Sequence, residues 1–254
     1  QAEYFIKTEN YKDAVKHLTK AITLTKKKKH RVRKVFILAQ IYELEGNQKK
    51  ASQLYAQASK MHPTYDMLFN AKIKRAMTVQ TSNETDTKMV KKELNKMLKD
   101  DKNIEFRDQI YYALAEISLK EVDEKTAIYY LKKSALASAQ NKHQRALSYL
   151  KLADIYFAKP NYKISQSYYD STIAFLSKDY KDYKIVHNKK ENLANLIKNL
   201  NIIASEDSLL KIARMDTTLR GKYIDDLIAK YIDEEKRRED EKQNLLNNSQ
   251  NINS

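Results

Sequence analysis

Val35-Phe36-Ile37-Leu38-Ala39-Gln40-Ile41-Tyr42-Glu43-Leu44-Glu45-Gly46-Asn47, followed by Ala51, Tyr55, Ala58 and Pro63, is the stretch that decides the fold. Val35, Leu38, Ala39 and Tyr42 recur at three- and four-residue spacing and share one face of a helix. Glu45-Gly46-Asn47 reads as a turn, and Ala51, Tyr55 and Ala58 form the inward face of a second helix that Pro63 ends. Small residues at Ala39, Ala51 and Ala58 let the two backbones approach, and Tyr42 and Tyr55 fill the volume between neighbouring pairs.

The same grammar returns along the chain. A small residue followed at +4 by a large one and at +7 by a small one occurs at Ala14-Leu18-Ala21, Ala51-Tyr55-Ala58, Ala127-Leu131-Ser134 and Ser165-Tyr169-Thr172, with anchors 37, 76 and 38 residues apart. Val90-Leu94-Met97 fills the double interval in degenerate form. Residues 111–134 and 149–172 supply further pairs, Ala2 and Phe5 belong to a truncated first helix, and the unit from Tyr65 to Met97 is interrupted by a polar loop, Thr78–Thr87. This pattern of large residues, Ala, Tyr, then Ala, aromatic, Ala, Pro resembles the tetratricopeptide repeat. The resemblance implies an all-α protein, a right-handed α-solenoid of about five tetratricopeptide-like helical pairs over residues 1–178. C-terminal capping or docking helices follow over 179–232, among them an amphipathic cap over about Asn188–Ile203 and a short separate helix started by Ser205-Glu206-Asp207-Ser208, then a charged and finally Asn/Ser-rich disordered tail over 233–254.

Composition agrees and excludes much. Two Gly, two Pro and no Cys or Trp in 254 residues leave no material for a Gly-rich phosphate loop, a dinucleotide fingerprint, a thiolate metal site or a disulfide. The turns of a many-stranded sheet would also lack their usual residues. No run of 18 apolar residues offers a membrane span. Beginning at Gln1 within a helical pattern, the chain reads as an excised or processed piece of a longer one.

Chemistry is absent where it would be sought. No two of His17, His30, His62, His143 and His187 stand at i,i+3 or i,i+4, so no helical metal pair exists. Adjacent carboxylates such as Asp100-Asp101 and Asp225-Asp226 diverge by about 100° on a helix and suit shared acid–base work poorly. No serine has a recognisable His/Asp constellation. The reading is a non-enzyme with no catalytic residues, cofactor or metal.

Binding features remain. Net charge is +15, with its densest part at Lys26, Lys27, Lys28, Lys29, Arg31, Arg33 and Lys34, around His30. This basic patch is either a solvated inter-repeat turn or a docking patch for an acidic partner, lipid headgroups or phosphate; nucleic acid is the weakest option because no recognition module is visible. In tetratricopeptide solenoids the first helix of each pair lines a concave protein-binding groove. Transferring that register places there Arg33, Phe36, Gln40 and Glu43, then Tyr112, Glu116 and Lys120, then Leu147, Leu150, Asp154 and Phe157. Phe36, Tyr112, Leu150 and Phe157 would form an apolar strip for a peptide or partner helix, and the set lacks the Lys/Asn carboxylate clamp of chaperone-type members. Asp216 reads as the N-cap of a docking helix whose stripe is Leu219, Tyr223, Ile224, Leu227, Ile228, Tyr231 and Ile232.

Three segments, Tyr65–Ala76, Ala146–Phe157 and Asn192–Ile224 with its core Asn201–Met215, resemble the PorW/SprE family, periplasmic lipoproteins of the type IX secretion and gliding apparatus of Bacteroidota. That resemblance implies a scaffold tethered to the outer membrane by a lipid upstream of residue 1. Its partners would be secretion-system ring and outer-membrane translocon proteins, with no small-molecule substrate. The alternative is a cytoplasmic repeat adaptor or regulator that uses the basic patch on an acidic partner.

Overall fold

In the computed structural model, which describes residues 1–251, every regular element among the described residues is helical. The helices are α1 (Ala2–Lys7), α2 (Tyr11–Leu24), α3 (Lys28–Leu44), α4 (Gln48–Lys60), α5 (Tyr65–Thr78), α6 (Glu84–Leu98), α7 (Arg107–Lys120), α8 (Glu124–Ala137), α9 (Lys142–Ala158), α10 (Tyr162–Phe175), α11 (Tyr183–Ala213) and α12 (Thr217–Asn251), with a 3-10 helix at Asp101–Phe106. From α1 to α10 each helix packs on its neighbour in sequence, most extensively α3 on α4, α7 on α8 and α9 on α10. Alternate helices also meet, α5 with α7 and α7 with α9. The fold is therefore all-α, with helices packed in neighbouring pairs.

The turns show why. Asn10, Asn47, Asn83, Asp123 and Asn141 each accept a hydrogen bond from the backbone N–H three residues on and so cap α2, α4, α6, α8 and α9. Ahead of three of these caps, Glu9, Gly46 and Val122 sit at φ of 55°, 78° and 61°. A single left-handed residue turns the chain between the two helices of a pair, and only one of the three is the glycine that suits it.

Packing follows the small–large–small pattern. Ala39, Ala51 and Tyr55 are fully enclosed together with parts of Phe36, Tyr42 and Leu54. Ala115, Leu131 and Leu152 do the same under Tyr112, Tyr149, Tyr156 and Tyr168. Each fully buried large side chain contributes on the order of 2 kcal/mol. The degenerate third unit is no weaker in substance: Val90, Leu94 and Met97 are buried with Phe69, Ala76 and Ile110. Its 3-10 segment is held by Asn103, which donates to the Met97 carbonyl at 2.9 Å and accepts from the Tyr65 hydroxyl.

One element differs from the sequence expectation. A break before Ser205-Glu206-Asp207-Ser208 is not made; α11 runs without interruption for 31 residues, because no Gly or Pro stops it and Ser and Asp are tolerated inside a helix. The charged segment from Asp233 on continues α12 through Asn251, and residues 252–254 of the tail read as disordered lie outside the described residues. Asp233 and Arg237, one turn apart, form an ion pair on that helix, the kind of i,i+4 pairing that supports a charged extension.

The chain divides into two compact units, the first ending at Leu193 and the second beginning at Ala194. In the first lie all the buried side chains named above. In the second, no described side chain is buried.

Candidate protein-binding surfaces

The residues assigned to a groove come from α3, α7 and α9, and their carboxylates do not stand free. Glu43 accepts from the Tyr55 hydroxyl at 2.6 Å and from Lys74 of α5 at 3.0 Å. Glu116 pairs with Lys151 of α9 at 3.0 Å. Asp154 accepts from the Tyr169 hydroxyl at 2.6 Å and pairs with Lys189 of α11 at 3.3 Å. An acid on one first-position helix thus meets a lysine on the next, three times over, and twice a fully buried tyrosine ties the second helix of the pair to the same acid. Burial, reinforced by the adjacent carboxylate, raises the hydroxyl pKa values of Tyr55 and Tyr169, so both stay protonated donors. Tyr112 is raised by burial first and by Glu116 second.

The remaining groove residues divide by exposure. Arg33 and Gln40 are exposed, and Phe36 is half-buried, its ring edge-on to Tyr55 with centroids 5.3 Å apart. Phe36 and Gln40 share a cleft of about 330 Å³ with Asp66, Met67, Asn70 and Lys74. Lys120 donates to the carbonyls of Met77 and Val79 and so closes the C-terminal end of α5; burial lowers its pKa. Leu147 and Leu150 are half-buried, while Phe157 is exposed beside Tyr162 at 5.9 Å. Of the four residues read as an apolar strip, Phe36, Tyr112 and Leu150 are half-buried and Phe157 faces solvent.

In the basic patch, Lys26, Lys27, Lys28, Lys29 and Arg33 are exposed, and Arg31 and Lys34 half-buried. On the docking helix, Asp216 accepts from the Thr218 N–H at 2.9 Å and opens α12 as expected. Tyr223 is half-buried with the Lys211 ammonium 5.6 Å from its ring centroid. Ile224, Leu227, Ile228 and Tyr231 are all exposed, joined by Leu219 and Ile232, and on the preceding helix by Leu209 and Leu210. Such an apolar stripe on one unit is far more than scattered surface residues require.

The lysine partners Lys74, Lys151 and Lys189 are not singled out by the repeat pattern. A signal exists all the same, since Glu116 and Asp154, and equally Lys151 and Lys189, stand one repeat of 38 residues apart. Among the described residues no three His, Asp or Glu side chains converge as a metal-binding set. No protein-family model matches the chain, and no curated protein matches it significantly.

Proposed function

We propose that this protein is a non-catalytic scaffold that binds other proteins, and that its second unit is the principal docking element. The observation that carries this is the absence of any buried side chain among the described residues from Ala194 on, in a segment rich in Leu, Ile and Tyr. Apolar side chains of that number gain most of their burial energy only from a partner. The first unit, whose helices pair and whose groove acids are neutralised internally, supplies a stiff support.

The finer reading is a right-handed α-solenoid of about five tetratricopeptide-like pairs with C-terminal caps. The resemblance of three segments to PorW/SprE extends it to a periplasmic subunit, lipid-tethered to the outer membrane, that links the ring and translocon of the type IX secretion machine. A photo-crosslinking residue placed at Leu227 of the full-length protein in its native cells tests this. Adducts with ring or translocon proteins are expected, and Ile224→Glu/Ile228→Glu should abolish them. Adducts confined to cytoplasmic proteins, or none, would refute the reading.

A further inference from the structure

Lys28, Lys29 and Arg33, with His30 and His62, line a cleft of about 670 Å³ between the start of α3 and the α4–α5 connection. Val32, Pro63, Thr64 and Met67 complete its wall, and none of its lining residues is acidic. That volume falls in the range of small-ligand sites, with an apolar interior and a few convergent polar groups.

These cations are also unspent. Among the described residues, Lys28, Lys29 and Arg33 have no carboxylate within ion-pair distance, although thirteen ion pairs form elsewhere. Their placement works against the fold. α3 carries Lys28, Lys29, His30 and Arg31 in its first turn, no acidic residue there, and no side-chain cap from Lys27. Positive charge at the positive end of a helix is unfavourable, and the Asn- and Asp-capped starts of α2, α4, α6, α8 and α9 show that this chain caps helices readily. A local choice that costs stability without a structural return points to a ligand.

We propose that the cleft binds an amphiphilic phosphate-type anion, its head group held by Lys28, Lys29 and Arg33 and its apolar stem against Val32 and Met67. Arg33 offers the planar fork that suits phosphate oxygens, and the two lysines offer compact charge. The anion is either a lipid head group or a soluble phosphate monoester. This site is independent of the docking stripe on α12.

Isothermal titration of the full chain with hexyl phosphate and with inorganic phosphate, and co-sedimentation with phosphatidylcholine vesicles with or without phosphatidylglycerol, test the proposal. Hexyl phosphate should bind at least about tenfold more tightly than inorganic phosphate, because several methylenes leave water. Lys28→Glu/Arg33→Glu should weaken it by at least about tenfold, whereas Lys125→Glu/Lys132→Glu, with equal charge change on exposed positions of α8, should weaken it less than about twofold. Circular dichroism of both variants should match the parent, since all four positions are exposed. Vesicle binding that hexyl phosphate displaces assigns the lipid source; hexyl phosphate binding without vesicle binding assigns the soluble one. The proposal is overturned if hexyl phosphate fails to bind or binds no better than inorganic phosphate, or if the two double variants weaken it alike.

Discussion

Val122 is 89% exposed, packs on little, and sits at φ +61° in the turn between α7 and α8. The turn needs that conformation: the Val122 N–H reaches the Leu119 carbonyl at 3.1 Å, and the Asp123 N–H reaches the Ser118 carbonyl at 2.9 Å, just before Asp123 caps α8. Left-handed backbone costs an L-residue roughly 1–2 kcal/mol, and a β-branched one stands at the upper end. Asn adopts it at much lower cost and, unlike Gly, adds little freedom to the unfolded chain. The slight apolar burial of the Val122 side chain is worth no more than a few tenths of a kcal/mol at that exposure. Val122→Asn should therefore stabilise the protein by about 1 kcal/mol, or raise the melting temperature by about 3 °C for a unit of this size. Urea unfolding followed by circular dichroism, with an unchanged m-value, measures it. The reciprocal change is Gly46→Ala at φ +78°, where an added Cβ meets nothing within 4 Å, so about 1 kcal/mol should be forfeited through backbone strain alone. A neutral or destabilising Val122→Asn, or a silent Gly46→Ala, refutes the account of these turns.

Tyr55→Phe and Tyr169→Phe should each lower stability by about 1–2 kcal/mol in the same urea assay, because each removes a hydroxyl that donates to a carboxylate while leaving the ring in place; in a double-mutant cycle, Tyr55→Phe with Glu43→Gln should be clearly non-additive. Ala39→Leu should cost about 1–3 kcal/mol by overpacking the space shared with Ala51 and Tyr55, read as a lower urea midpoint. Asp108 is buried, accepts from the Gln109 N–H, Asn141 and Ser138, and has its pKa raised because burial outweighs those bonds. Its folded value exceeds its unfolded value, so its contribution to stability is present at low pH and lost as pH rises through the folded value. The cost of Asp108→Asn should accordingly shrink as pH rises above the ordinary aspartate range, as compared with the parent by urea midpoints at each pH.

The helices and their pairing were legible because the small–large–small rule acts within one hairpin, where Ala39, Ala51 and Tyr55 must meet whatever the rest of the chain does. The Asn and Asp caps are equally local, yet the sequence reading singles out only Asp216 among them. The left-handed turn residues were only half legible: Gly46 announces its conformation, while Glu9 and Val122 adopt it because the flanking helices dictate it. The continuity of α11 was not legible, since Ser205-Glu206-Asp207-Ser208 serves as well inside a helix as at its start. For the groove, the acids were legible on α3, α7 and α9 but not what faces them. Whether Glu43 greets a ligand or Lys74 depends on the register between α3 and α5, which no single hairpin encodes.

That pairing also bears on where a partner would gain the most. A peptide entering the groove would have to compete with Glu43–Lys74, Glu116–Lys151 and Asp154–Lys189, and with the two tyrosine hydroxyls that rely on Glu43 and Asp154. Each partly exposed ion pair is worth only about 0–1 kcal/mol, but stranding a buried tyrosine hydroxyl costs about 1–3 kcal/mol more. On α12 a partner would disturb only an exposed contact, that of the Tyr231 hydroxyl with Glu235 at 3.4 Å. Covering Leu219, Ile224, Leu227, Ile228, Tyr231 and Ile232, all at present exposed, would yield on the order of 1 kcal/mol for each, enough to offset much of the cost of association. The internal charge pairs thus favour the first unit as support, and the unsatisfied stripe favours the second as the place where binding begins.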